Sequence, residues 1–181
     1  MASHIASLIM EAMNAECCQN FAGPKHTLVD FHRMMTRLVE MEDSQYSYRN
    51  VLAAYTSSGI LAGICVAYDG AKLHQLRRRF YEAALEAFEI DYTGMADETE
   101  DGEFYIDSLA VSSNFRGKGI ASQLLQATIE RGAELGIPTV GLLVDKGNPK
   151  AEALYQRLGF VYVNDSTWGG HPMRHLQYKQ N

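Results

Sequence analysis

The stretch Leu109-Ala-Val-Ser-Ser-Asn-Phe-Arg116-Gly117-Lys118-Gly119-Ile120-Ala121 has the residue types and spacing for chemistry. Two glycines alternate with two cations at what reads as the start of a helix. Glycine lets a ligand approach the backbone closely, and the first turn of a helix carries N–H groups with no helical partner. Together with the positive helix end and the side chains of Arg116 and Lys118, they form an anion site whose natural guest is a phosphate or pyrophosphate. Just upstream, Asp107 and Ser108 lie in an alternating segment, Phe104–Val111, that reads as a strand.

Two phosphate motifs fit this turn poorly. A Walker loop needs a glycine where Ser112 stands and a Ser or Thr where Gly119 stands. Gly117-x-Gly119-x-x-Ser122 is two thirds of a dinucleotide fingerprint, and Asp145 imitates its ribose-binding acid. That fold, however, needs several further βα units, and the remaining 60 or so residues hold one helix and three strands.

The elements that must position these residues can be read from periodicity. Ile5, Leu8, Ile9 and Ala12 predict a helix over residues 3–16, broken by Phe21-Ala-Gly-Pro24. Thr27 caps a second helix with the stripe Phe31, Met34, Met35, Leu38 and Met41, whose methionines suit core or substrate-groove lining better than metal binding. Asn50–Thr56 and Ile60–Tyr68 predict a hairpin across Ser57-Ser-Gly59. A third helix carries Leu73, Leu76, Phe80, Ala84 and Ala87 on one face, with Arg77-Arg78-Arg79 read as a solvated basic segment. Residues 93–103 form an acidic loop, read as mobile or as a border of the active site. After the Gly-led helix, stopped by Gly136 and Pro138, come the strand Thr139–Val144, the helix Pro149–Leu158 and two strands, Phe160–Val163 and about Met173–Lys179. A single α/β domain over residues 1–181 with a mixed sheet fits this order, with 69–103 as an inserted helix plus acidic loop.

Composition bounds the function. Of 181 residues 46% are hydrophobic and 21% charged, which is ordinary for a globular domain with a real core. The formal charge of −6 opposes nucleic-acid binding, which needs a basic face, and permits a cationic partner. There is no membrane-length apolar run and no signal-peptide pattern at the start, which reads as cytoplasmic with no membrane partner. Cys17, Cys18 and Cys65 have no metal spacing and read as reduced structural thiols. His171 and His175 are four apart, but Pro172 and a strand context spoil a zinc site. No metal is expected. Trp168 and His171 are pocket candidates beside the commoner structural reading.

Leu-Ala-Val, a short loop and Arg-Gly-x-Gly-Ile-Ala resemble the acetyl-CoA loop of the Gcn5-related N-acetyltransferases. Asn148-Pro-Lys-Ala151-Glu-Ala-Leu-Tyr155-Gln-Arg-Leu-Gly159-Phe160 is similar to the family's second cofactor motif, Asn-x-x-Ala-x-x-x-Tyr-x-x-x-Gly-Phe. The resemblance covers about residues 104–163. Asn114 stands where the loop usually has Gln or Arg, and Ala121 where Gly is common. The family also usually begins with a strand, whereas this chain starts almost directly in helix.

The resemblance implies a central mixed, mostly antiparallel twisted sheet, with helices on both faces and a V-shaped splay between its two central strands. It implies an acyltransferase that uses acetyl-CoA and a primary amine of a small molecule or peptide, by direct attack in a ternary complex. A non-catalytic acyl-CoA sensor is the alternative. Leu109, Ala110 and Val111 would pair with the pantetheine arm. The N–H groups of Arg116, Gly117, Lys118, Gly119, Ile120, Ala121 and Ser122 would hold the pyrophosphate. Asn148 would bond the pantetheine amides, Ala151 is small where the cofactor passes, and Tyr155 would protonate the leaving thiolate. A backbone N–H near Val111 would polarise the carbonyl. Dimerisation is common in the family, so a second copy is a candidate partner.

Strand alternation predicts Tyr105, Asp107, Leu109 and Val111 on one face. Asp107 is then the candidate base, against the readings of substrate-ammonium anchor and structural carboxylate. Glu103 is a weaker candidate base. Packing is the competing role for Tyr155. The loop acids Asp97, Glu98, Glu100 and Asp101 hint at a polyamine, an aminoglycoside-like molecule or a peptide N-terminus.

Overall fold

The computed structural model describes residues 1–181. Its helices are α1 (Ala2–Met13), α2 (Ala15–Ala22), α3 (Leu28–Glu40), α4 (Leu73–Phe88), α5 (Ile120–Glu134) and α6 (Pro149–Arg157). Its strands are β1 (Val51–Tyr55), β2 (Leu61–Asp69), β3 (Glu103–Val111), β4 (Thr139–Asp145), β5 (Val161–Trp168) and β6 (His171–Lys179). They form one six-stranded sheet in the order β1-β2-β3-β4-β6-β5. Only β3 and β4 run parallel; every other neighbouring pair is antiparallel. No helix is long and apolar enough to cross a membrane.

Alternation along β2 explains the layers. Ile64 and Val66 point into a core shared with α1–α4, while Cys65 and Ala67 join α5 and the far half of the sheet. α3 forms where Thr27 predicts it: its side chain accepts from the Asp30 N–H, and Asp30 accepts from the Thr27 N–H in return. Met34 and Met35 are core, packed among the N-terminal helices. The expected single helix over 3–16 is two helices. Asn14 adopts φ 70° and its side chain accepts from the Cys17 N–H at 2.9 Å, ending α1 and capping α2. Asn tolerates this left-handed conformation, and no periodicity marks it. The last two strands are longer than expected and meet in a turn at Gly169-Gly170, both at positive φ.

The parallel pair is short. β3 and β4 are in register from Glu103–Thr139 to Ile106–Leu142 and then part, β4 continuing against β6 as far as Asp145–Met173. Their root is pinned by Glu103. This side chain, 1% exposed, accepts from Thr99 Oγ1 at 2.8 Å and Gln177 Nε2 at 2.7 Å, and lies 2.6 Å from His175 Nε2. Glu103 is therefore a structural carboxylate and not a base. It lies across Gly141, where an added Cβ would collide with its carboxyl group. Gly141→Ala should therefore cost about 1–3 kcal/mol by overpacking, lowering Tm by several degrees for a chain of this size. A thermal melt equal to wild type would contradict this reading of the root.

Candidate active site

Where β3 and β4 part, a cleft of about 750 Å³ opens between them. Leu109, Ala110 and Val111 form one wall, and Leu143, Val144 and Asp145 the other. Arg116, Gly117 and Ala121 stand at one end, and Asn148, Ala151 and Tyr155 along the α6 side. These expected cofactor residues thus share one cavity. Lys118, Gly119, Ile120 and Ser122 belong to the same turn but do not line it. Lys118 lies over the Phe115 ring at 5.4 Å, and Ile120 packs into the α5 core.

The turn is built for exposed amides. Gly117 and Gly119 sit at φ 74° and 78°, which a side chain would resist, and no side chain caps α5. The helical ladder starts with the Gln123 N–H, bonded to the Gly119 carbonyl at 3.1 Å, so the preceding amides lack helical partners. The Arg116 side chain folds back on the strand instead: its Nε donates to the Val111 carbonyl at 3.0 Å, and Nη2 lies 3.5 Å from Glu11. Asn148 caps α6 by accepting from the Ala151 N–H at 3.2 Å, which occupies its side-chain oxygen and leaves its NH₂ group free of that bond.

A bulge places the carboxylate. Val66 faces Ser108, but the next residue, Ala67, faces Ile106, so Asp107 is an extra residue without a partner on β2. It has none on β4 either. The expected common face of Tyr105, Asp107, Leu109 and Val111 does not exist. Tyr105 packs with Tyr68 and Leu76, whereas Leu109 packs on the α5 side, because the bulge inverts the alternation. A one-residue bulge shifts the alternation by a single position, too little to stand out in one short strand.

Asp107 is half-buried in a polar setting. Ser108 Oγ donates to its Oδ1 at 3.0 Å, and the Tyr68 hydroxyl lies 3.2 Å from its Oδ2. The same hydroxyl is 3.3 Å from Glu98 Oε1 and accepts from Gln45 Nε2 at 3.0 Å. One phenolic proton thus faces two carboxylates. Burial, and then the Glu98 charge, push the Asp107 pKa up to about 7, against the hydrogen bonds of Ser108 and Tyr68 and the Arg77 charge.

Sequence reasoning gave Glu98 only as one of four loop acids and read Arg77 as solvated, and so missed their buried pairing. Arg77 is 1% exposed rather than solvated. Its Nη1 donates to the Ala96 carbonyl at 3.1 Å and Nη2 lies 3.2 Å from Glu98 Oε1, so it pulls the acidic loop inward. Asp97 stays outside, 2.9 Å from His74 Nε2. The only available signal was an arginine on the apolar face of α4.

Burial raises the Tyr155 phenol's pKa, so it stays protonated at neutral pH, and the ring packs edge-on against Phe160 at 6.0 Å. Cys17 also lines the cleft, but burial pushes its thiol up to about 11, so it is not a nucleophile at neutral pH. Cys17, Cys18 and Cys65 are all free and buried. Trp168 and His171 line the cleft, and His171 Nδ1 is 3.7 Å from Asp145. His175 is committed to Glu103. Among the side chains no group of three or more His, Cys, Asp or Glu could hold a metal.

Asp107 binds its proton more tightly folded (pKa about 7) than at its ordinary value of 3.8. Its stabilising share is full below the lower value and is lost as pH rises through the upper one. Asp107→Asn should therefore melt a few degrees above wild type at about pH 8, the gain shrinking as pH falls toward 4. A variant that melts below wild type at the higher pH would contradict this electrostatic picture.

Comparison with known proteins agrees with this geometry. The sequence model of the Acetyltransferase (GNAT) family matches residues 36–160. Mycothiol acetyltransferase from Propionibacterium freudenreichii subsp. shermanii is 37% identical over 75 residues, a stretch that spans 40% of this chain and 23% of that protein. A solved acetyltransferase has 26% identity and a TM-score of 0.79, covering 98% of this chain and 94% of the other. The N-acetyltransferase from Staphylococcus aureus Mu50 has the same fold, with 22% identity, a TM-score of 0.77 and coverage of 98% and 94%. Paired cofactor motifs, a parted central strand pair and a family match across most of the chain lead to one conclusion: the protein belongs to the GNAT acetyltransferase family.

Proposed function

We propose that the cleft binds acetyl-CoA and that the protein transfers the acetyl group to a primary amine in a ternary complex. What carries this reading is a single cavity that joins a freed strand edge, an uncapped helix start, a half-buried carboxylate and a half-buried phenol.

The residues present fit the cofactor. The edge of Leu109–Val111 that faces β4 has lost its strand partner, so its backbone groups can pair with the amides of the pantetheine arm as an added strand would. The unpartnered amides from Gly117 to Ser122 suit a pyrophosphate. The free NH₂ of Asn148 can donate to an arm carbonyl, and Ala151 leaves the passage open. Bound acetyl-CoA supplies an acyl thioester, which an amine can attack without any covalent enzyme intermediate.

The chain's own groups then move protons. An amine reacts only after its ammonium loses a proton, and ionised Asp107 accepts it. A backbone N–H of β3 polarises the carbonyl oxygen. Tyr155, held protonated by burial, gives its proton to the departing sulfur, and the second proton, which the nitrogen sheds to solvent as the amide forms, balances the one that Tyr155 regains from solvent. Asp107, with its pKa near 7, is matched to the base role at neutral pH.

Thiol release from acetyl-CoA with a panel of primary amines tests this. Asp107→Asn and Tyr155→Phe should each lower kcat/KM by about 10²-fold. The wild-type kcat/KM should rise with pH and level off above about 7, as Asp107 ionises, and Asp107→Asn should lose that limb. Wild-type turnover by both variants across the range would refute the assignments.

A further inference from the structure

Asp107 is backed by a phenol that has one proton and two carboxylates within reach. Tyr68 is 2% exposed, and its ring meets that of Tyr105 edge-on at 5.7 Å. Its hydroxyl lies 3.2 Å from Asp107 Oδ2 and 3.3 Å from Glu98 Oε1. Gln45, itself buried, decides between them. Its Nε2 is 3.0 Å from the phenol oxygen and 3.2 Å from Glu98 Oε1. An ionised carboxylate oxygen at that distance takes the NH₂ end of an amide, because the carbonyl end would repel it. One N–H of Gln45 therefore points at Glu98 and the other at the phenol oxygen, which accepts it. The phenolic proton is left to Asp107 or Glu98. Glu98 Oε1 already has the Gln45 N–H and the Arg77 charge 3.2 Å away, which Arg77 shares with Asp97 at 3.5 Å. Asp107 Oδ2 has no donor except Tyr68, since Ser108 serves Oδ1.

We infer that Tyr68 is the positioning residue of the base: Gln45 holds its oxygen, and its proton is committed to Asp107, where it orients the carboxylate and favours the ionised form. Asp107's part in proton transfer rests on the acetyl-transfer reading, whereas the pairing rests on geometry alone. Tyr68 and Ser108 each take a lone pair from a different carboxylate oxygen. The other lone pairs belong to a side chain that lines the cleft, where an ammonium can meet them.

The remaining surroundings leave this task to Tyr68. From α1, β4, β5 and β6, Met13, Leu143, Trp168 and Met173 face Asp107, and none of them titrates. Burial pushes the phenols of Tyr46 and Tyr105 well above their ordinary range and the Cys65 thiol up to about 12, so these stay neutral near pH 7. Cys17 and Tyr155, farther along the cleft, are held protonated by burial too. Glu11, Asp145 and His171 stand on other walls of the wider cleft. Of the charges, Glu98 raises the Asp107 pKa and Arg77 lowers it. The two possible destinations of the phenolic proton have opposite consequences. A donor to an ionised carboxylate lowers that group's pKa. If the proton is Asp107's, removing the hydroxyl raises the Asp107 pKa above its value of about 7. If it is Glu98's, the same change lets Glu98 hold a proton more readily, removes negative charge beside Asp107 and lowers the Asp107 pKa.

Tyr68→Phe keeps the ring that packs with Leu73 and Leu76 and removes only the hydroxyl. Two readouts are followed across the neutral pH range. One is the Asp107 carboxyl signal in the carbon NMR spectrum of protein carrying isotope-labelled aspartate, assigned by its absence from Asp107→Asn. The other is thiol release from acetyl-CoA with the fastest-reacting amine of the panel. In Tyr68→Phe the Asp107 midpoint and the rising limb of kcat/KM should both move up by about one pH unit. Below the limb kcat/KM should fall about tenfold, and above it recover to within about threefold of wild type. In the wild type the Tyr68 hydroxyl proton should move downfield as Asp107 ionises, and should not move in Asp107→Asn, a measurement that needs no change at Tyr68. A midpoint that stays or falls, a loss of rate equal at every pH, or a hydroxyl proton indifferent to Asp107 overturns the inference. A midpoint that rises in a protein with no thiol release keeps the pairing and removes acetyl transfer. Thiol release whose limb ignores that rise removes Asp107 as the base, and with it the role of Tyr68.

Discussion

The parting of β3 from β4 after Ile106 and Leu142 is the constraint on which the site depends. Four register pairs hold the parallel strands at their root, where Glu103 ties Thr99, His175 and Gln177 together across Gly141. Beyond that root each strand follows a different neighbour. β4 stays in register with β6, while β3 stays with β2 and takes up the Asp107 bulge. The divergence leaves backbone groups inside a domain without sheet partners, and such groups need a partner from somewhere. A ligand with regularly spaced amides answers that need. The cleft and its guest are thus two sides of one hydrogen-bonding problem.

The same bulge sets the electrostatics. An ordinary alternation would have placed Asp107 and Leu109 together; the extra residue separates the carboxylate from the apolar wall and turns it toward Tyr68. There it meets Glu98, which Arg77 draws in from the loop. Desolvation first, and then the neighbouring Glu98 charge, raise the Asp107 pKa to about 7, against the hydrogen bond of the phenol that the two carboxylates share. In the function proposed above, folded-state stability is traded for a base that works near neutral pH.

Local chemistry with short reach was legible in the sequence. The Thr27 cap, the Gly117 and Gly119 turn and the Gly136 stop each depend on a few adjacent residues, and all are where the sequence places them. The cofactor motifs are equally local. What failed was non-local or a single residue in extent. The kink at Asn14 and the bulge at Asp107 disturb periodicity by one position. The burial of Arg77 and Glu98 depends on α4 meeting a loop some twenty residues later, and the fate of Glu103 depends on a strand seventy residues away. Charge alone reads as solvated until the partner is in view.

Hydrogen exchange at the start of α5 tests the central claim most directly. The amides from Gly117 to Ser122 have no helical partner, so they should exchange quickly in the free protein. With saturating CoA, binding being confirmed by calorimetry, their exchange should slow together with that of Leu109–Val111. Bound CoA that leaves both segments unprotected would contradict the account.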